Sequence, residues 1–265
     1  MADVFKKQTV RYYTHDGTRC SLEKRAPTVS YGEHADALLV TARRSPDSAK
    51  NDQVLVLLRS GDYTLEPAGA WNTLGMRGTC SPGFTLRASF DPQQIAGADF
   101  AEIAEQTMVP VSHLLWSAVW LGIAADALGR AHGFVRAEAR QKPGIVPNNA
   151  VRLAEASALL DTLRARNRAV LAEYEEICAD SDAATRLSQV AWAAKINGLK
   201  VSASELAVEI VTRALAIVGI AGYREDGELS VARHLRDVFS APLMINNERI
   251  YATNASLLLV QKELG

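Results

Sequence analysis

Two hydrophobic periodicities divide this chain. Up to about residue 100 the apolar residues come in short runs with partial alternation, bounded by turn formers, which is the pattern of strands. Val10–Thr14 and Cys20–Leu22 flank the turn sequence His15-Asp16-Gly17-Thr18. Ala37–Ala42 and Val54–Leu58 are short apolar runs on either side of the polar segment Arg43–Gln53, read as an exposed loop. Gly61-Asp62-Tyr63 reads as a turn, and Phe84–Phe90 places Phe84, Leu86 and Ala88 on one face.

From about residue 101 the spacing becomes helical. Val111–Arg140 is apolar at first and then carries Asp126 and Arg130, an i,i+4 ion pair suited to an exposed edge. Leu153, Ala156, Leu160, Leu163, Asn167, Val170, Tyr174 and Ile177 recur at three- and four-residue steps, a seam facing other helices. A break at Asn197-Gly198 and the capping box Ser202-Ala203-Ser204-Glu205 predict a third helix starting there. Its apolar face is Leu206, Ile210, Ala214 and Val218, and a last helix covers roughly Asn247 to Val260. The fold expected is α+β and mostly α: a partial β-barrel-like domain over residues 1–100, then an antiparallel four-helix bundle over 101–265.

Composition narrows the chemistry. With 48% hydrophobic and 22% charged residues the chain can bury a sizeable core, which argues against disorder. Its formal net charge of -1 leaves no basic patch, so nucleic acid is not an expected partner. Cys20, Cys80 and Cys178 are too scattered for a zinc site or a disulfide framework, which predicts no metal and a reducing, cytoplasmic setting. The N-terminus lacks the apolar core of a signal peptide, and the Leu114–Ala125 stretch is shorter than a membrane span needs.

Three stretches, in order, resemble the acyl-CoA dehydrogenase family. Trp71-Asn-Thr-Leu-Gly-Met-Arg-Gly-Thr79 is similar to its W-x-x-L-G-M-R-G-T turn. Arg140, in Ala-Arg-Gln-Lys-Pro-Gly144, resembles the R-x-x-F-G element that ends its first bundle helix. Ala214–Tyr223 and Arg233-His-Leu-Arg236-Asp237 resemble its Q-x-x-G-G-x-G-Y and R-x-x-R-D elements. The resemblance covers the C-terminal two-thirds of the family: part of the middle β-domain and the helical bundle. The family's N-terminal helical domain and its T-E-P-x-x-G-S-D element have no counterpart in this sequence.

The resemblance implies an FAD flavoprotein that removes an α-proton and a β-hydride from an acyl-CoA thioester, with an electron-acceptor protein as partner. It places Arg140, Gly219 and Gly222 at flavin dinucleotide contacts contributed across a subunit boundary. Ser30 falls beside the flavin ring, and Asn247 falls on the threonine after the family's catalytic glutamate. That glutamate position is Ile245 here. The remaining candidates for the base are Glu248, one turn on, and His113, near the family's alternative base position. Each has an ordinary reading beside the catalytic one: Glu248 as a solvated residue of a first turn, His113 as a capping or surface histidine. Arg233, Arg236 and Asp237 are read as a structural ion-pair cluster. Further losses thin the cofactor site: Ala216 for the family's Gln, Ile220 for its second glycine, Pro143 for the Phe and Thr28 for the shelf aromatic. A non-catalytic subunit and a flavin monooxygenase of the same fold are the alternative functions. Ala-rich apolar helix faces predict a homo- or hetero-oligomer, dimer or tetramer.

Overall fold

The computed structural model describes Thr14, His15 and residues 17–261. The strand expected over Val10–Thr14 and the Asp16 position of its turn lie outside the described residues, apart from Thr14. The chain divides into two compact units, one reaching Thr73 and resuming over Arg77–Ala104, the other made of Leu74–Met76 and the chain from Glu105 onward.

The first unit holds β1 (Thr14–His15), β2 (Cys20–Ala26), β3 (Ala37–Arg43), β4 (Gln53–Arg59), β5 (Tyr63–Pro67) and β6 (Phe84–Phe90). They form a four-stranded antiparallel sheet in the order β1-β2-β6-β5 and a separate β3-β4 hairpin. Among the described residues no sheet closes into a barrel, which corrects the barrel-like expectation to two small sheets. Strand alternation supplies the core between them. Leu22, Val40, Val54, Val56, Leu58, Leu86 and Phe90 are buried, while their chain neighbours are more exposed. Tyr63, expected in a turn, begins β5 and pairs with Ala88, because Gly61 with φ 94° has already reversed the chain. The short helix α1 (Phe100–Ile103) ends this unit and runs into a π-helical turn, Ala104–Met108.

The second unit is helical: α2 (Val109–Gln141), α3 (Asn149–Ala179), α4 (Ala183–Leu187), α5 (Val190–Val218), α6 (Ile220–Tyr223), α7 (Ala232–Val238) and α8 (Asn247–Val260). Helices α2, α3 and α5 pack against one another, and α8 packs chiefly on α5. The ion pairs Glu155–Arg213 (3.0 Å) and Glu173–Lys195 (2.7 Å) make α3 antiparallel to α5. His113 meets Ile196 and Trp120 meets Lys200, so α2 and α5 run in the same direction. The α3 seam is as the spacing requires: Ala156, Leu160, Leu163, Asn167, Val170 and Ile177 are buried.

The third helix departs from its predicted start. Asn197, Gly198 and Ser202 all lie inside α5, and Ser202 Oγ donates to the Leu199 carbonyl instead of capping a helix end. Burial of Trp192, Ile196 and Leu199 carries α5 through the local break signals. Gly198 has a packing reason as well, since a Cβ there would lie 3.1 Å from the Arg166 guanidinium.

By length and composition one helix among the described residues, Phe100–Gln141, is apolar enough to cross a membrane, although the apolar stretch was expected to be too short. Trp120, Ala124, Ala127, Leu128 and Ala131 of this helix belong to the helical core, although only 28% of its most apolar stretch is buried.

Candidate functional site

The residues singled out in the second unit fall into two environments. The first is the far end of the α2–α5 pair. Arg140 lies 20 residues beyond Trp120 and Gly219 lies 19 beyond Lys200, so both reach the same end of two helices running in parallel. The Arg140 side chain is exposed and makes no ion pair or hydrogen bond among the described residues. Gly219 ends α5 with φ 69° and ψ -141°, a conformation that is essentially glycine's alone. No atom lies within 4 Å of where its Cβ would be. Ile220 (77% exposed) and Tyr223 (68%) stand beside it. An unpaired guanidinium at the end of α2, and a bare peptide with an exposed aromatic at the end of α5, are groups of the kind that bind a phosphate-bearing, ring-containing ligand.

Gly222, three residues on, is a different case. A Cβ there would meet Val218 Cβ at 3.0 Å and Val231 Cγ2 at 3.3 Å, and its carbonyl accepts from Val231 N–H at 2.9 Å. Its lack of a side chain therefore serves the packing of the 219–231 turn.

The second environment is the α5–α8 seam. Asn247 is 7% exposed, and both ends of its amide are occupied. Its Oδ1 accepts from Lys200 Nζ (2.7 Å), and its Nδ2 donates to Ser204 Oγ (3.0 Å) and Glu205 Oε1 (3.3 Å). Lys200 is fully buried, donates also to the Ala241 carbonyl (3.1 Å) and lies 5.4 Å from the Trp120 ring centroid. Burial pulls its pKa down to about 8, against an opposing effect of Glu205. Glu205, freed from the capping role assigned to it, accepts from Tyr251 Oη at 3.0 Å. The sequence reading passed over Lys200 and Glu205. Lysine is rarely buried, and the only local signal at Glu205 was the misleading capping box.

The candidates for a base sit around this seam. His113 is 2% exposed, with Nδ1 3.3 Å from the Ile196 carbonyl oxygen. Burial, reinforced by the Lys200 charge, holds its pKa down at about 4 despite that hydrogen bond, so the ring is neutral near pH 7. It is neither a cap nor a surface residue but a side chain enclosed between α2 and α5. Glu248 is exposed in the first turn of α8, its own N–H donating to Asn246 Oδ1. Ile245 and Asn246 before it have φ 57° and 37°. A left-handed β-branched residue is a genuine outlier, and this one is 44% exposed.

Two of the sequence motifs meet inside the second unit. A Cβ on Gly75 would lie 2.1 Å from the Arg236 carbonyl oxygen, and Met76 N–H donates to Asp237 Oδ1 at 2.6 Å. The Leu74–Met76 segment thus packs backbone to backbone on α7. Asp237 also pairs with Arg233 (3.5 Å) and Arg236 with Glu225 (2.5 Å), the structural cluster expected of this motif. In the first unit Ser30 is exposed, with Oγ 2.9 Å from Ser81 Oγ. Among the described residues no group of three or more His, Cys, Asp or Glu side chains is arranged to hold a metal.

The model of the acyl-CoA dehydrogenase C-terminal domain matches residues 103–244, more than half of the 265. No curated protein matches the chain. Solved structures resemble it at low identity. A nitroalkane oxidase crystallised with 1-nitrooctane superposes with a TM-score of 0.74 at 17% identity, over 96% of this chain and 63% of that one. An acyl-CoA dehydrogenase from Geobacillus kaustophilus gives 0.73 at 16%, over 95% and 64%. The dibenzothiophene monooxygenase TdsC from Paenibacillus sp. A11-2 gives 0.70 at 20%, over 93% and 66%. The likeness is one of fold, and this chain spans 63–66% of the length of these relatives.

Proposed function

We propose that this chain, which belongs to the acyl-CoA dehydrogenase family, is an FAD-dependent oxidoreductase acting on an acyl-CoA thioester. The observation that carries the reading is the pairing of unpaired Arg140 with bare Gly219 at one end of α2 and α5. In this reading residues 1–100 are part of the family's middle β-domain and 101–265 its helical bundle, α8 being the fourth helix beside α2, α3 and α5.

Bound FAD would supply the acceptor for the hydride leaving the acyl β-carbon. Arg140 would neutralise a phosphate of the dinucleotide by a bidentate, charge-assisted contact. Gly219 would let the group approach the backbone closely, with Tyr223 as an aromatic wall. Ser30, in the first unit, is the hydroxyl residue that the family resemblance assigns to the flavin ring. Gly222 and Asn247 would act indirectly, by shaping the turn and seam on which these groups stand. Of the two candidate bases, only Glu248 presents an accessible carboxylate for the α-proton. Assembly into a dimer or tetramer in the cytoplasm, with electrons passed to an acceptor protein, completes the proposal.

A second reading has its own observation. Ile245 gives the family's base position an apolar side chain in a left-handed turn. That favours either a monooxygenase, whose oxygen chemistry needs no carboxylate base, or a subunit that keeps the fold without the chemistry.

The test is anaerobic titration of the purified protein with saturated acyl-CoAs of graded chain length, watching the visible flavin band. Bleaching supports dehydrogenation. Flavin that is reduced only by an external reductase and then consumes oxygen supports the monooxygenase. Protein that stays colourless when FAD is supplied refutes the flavin reading.

A further inference from the structure

The buried Lys200 is unexplained by any of these functions. Its ammonium has no carboxylate in contact among the described residues, and enclosing a cation without one is costly. What it holds is specific. Ala241 O and Asn247 Oδ1 lie 3.1 and 2.7 Å from the same nitrogen, one from the turn leading into α8 and the other from that helix's first residue. One cation therefore draws both ends of a seven-residue segment to a single point on α5. Within that segment the backbone closes on itself, Asn247 N–H donating to the Pro242 carbonyl and Asn246 N–H to that of Leu243, both at 3.0 Å. Its apex is the left-handed pair Ile245–Asn246. Ile245 is 44% exposed, so burial of its own side chain does not account for that conformation.

We propose that Lys200 is a positioning residue that staples the two ends of the 241–247 turn and so sets the backbone at Ile245, the position the family resemblance gives to the catalytic glutamate. The inference deepens the flavoprotein reading, and rests on it for the turn bordering the flavin. The Trp120 face holds the ammonium itself and the Ser204–Asn247 hydrogen bond holds one of its two partners, which makes the staple rigid.

Hydrogen–deuterium exchange on the full chain tests this with Lys200→Met, which keeps an unbranched apolar stem one atom shorter and removes the donor. Amides of residues 241–250 are expected to exchange at least tenfold faster, while those of the α3 seam keep their wild-type rates. Equal acceleration in both regions would mean general loosening of the core and overturn the proposal, as would no change at 241–250. Should Lys200→Met fail to fold, Asn247→Ala removes one arm of the staple and leaves the ammonium on Ala241. A smaller acceleration confined to 241–250 is then expected, and its absence overturns the proposal. Flavin separates the two layers of the argument. With FAD bound, a loosened turn that shifts the visible band supports both. A loosened turn with unchanged band and affinity upholds the staple and removes the turn from the flavin's border.

Discussion

The middle of α5 and its C-terminal end solve opposite problems. Around Lys200, His113, Ser204 and Asn247 every one of these polar side chains is bonded internally, across three helices, and is at most 7% exposed. At Gly219 the peptide is bare and two large apolar side chains face outward, and Arg140, at the end of α2, has no partner among the described residues. The contrast separates groups that specify the fold from groups left over for a ligand, since buried polar atoms must be satisfied from within whereas exposed ones are free to be satisfied by something else. It also divides residues of a single motif: Gly222 belongs with the closed set and Gly219 with the open one.

Substitutions that break this division should be ranked by how closed each site is. Gly75→Ala forces a methyl group onto the Arg236 backbone at 2.1 Å and should cost about 3 kcal/mol or more. Denaturant unfolding followed by helical circular dichroism measures it, and a cost below 1 kcal/mol, on the order of an ordinary substitution, would show that Leu74–Met76 does not pack on α7.

Acid comes next. The folded-state pKa of His113 is near 4 and the ordinary value is 6.5, so between these the unfolded chain binds more protons. Stability from this group is complete above pH 6.5 and falls as pH drops towards 4, by about 3 kcal/mol in all. Thermal melts over that range should show the loss in wild type and a flattened profile in His113→Leu. An unchanged profile would place the histidine in contact with water.

Gly222→Ala should cost about 1–2 kcal/mol through contacts that a small shift of Val218 and Val231 relieves. Isothermal titration should find flavin affinity in that variant lowered only as far as the fold is. Arg140→Ala is the opposite case: stability within about 0.5 kcal/mol of wild type, but FAD affinity down by about 10- to 100-fold or more from the lost bidentate, charge-assisted contact. Isothermal titration with FAD decides, and unaltered affinity would remove Arg140 from the site.

Some of this was open to inspection in the amino-acid order. The α3 seam, the one-sided burial of Phe84, Leu86 and Ala88, and the order of the family motifs are periodic or contiguous signals, carried by residues close together in the chain. The glycines of Gly219 and Gly222 were readable as special without being readable as different. One answers to open space and the other to Val218 and Val231, and residue 231 is nine positions away.

The misreadings share a physical origin. Ser202 and Glu205 form a sound capping box that would start a helix in isolation, but nucleation signals are weak beside the burial of a whole turn such as Trp192–Leu199. His113 read as a surface residue because its chain neighbours include Ser112, while its surroundings come from Ile196 and Lys200. Apolar periodicity and motif order were therefore written locally. Whether a lysine is a solvated charge or an internal staple, and whether a glycine is packed or bare, depended on which helices came to lie beside it, and burial across distant segments is a property no local stretch carries.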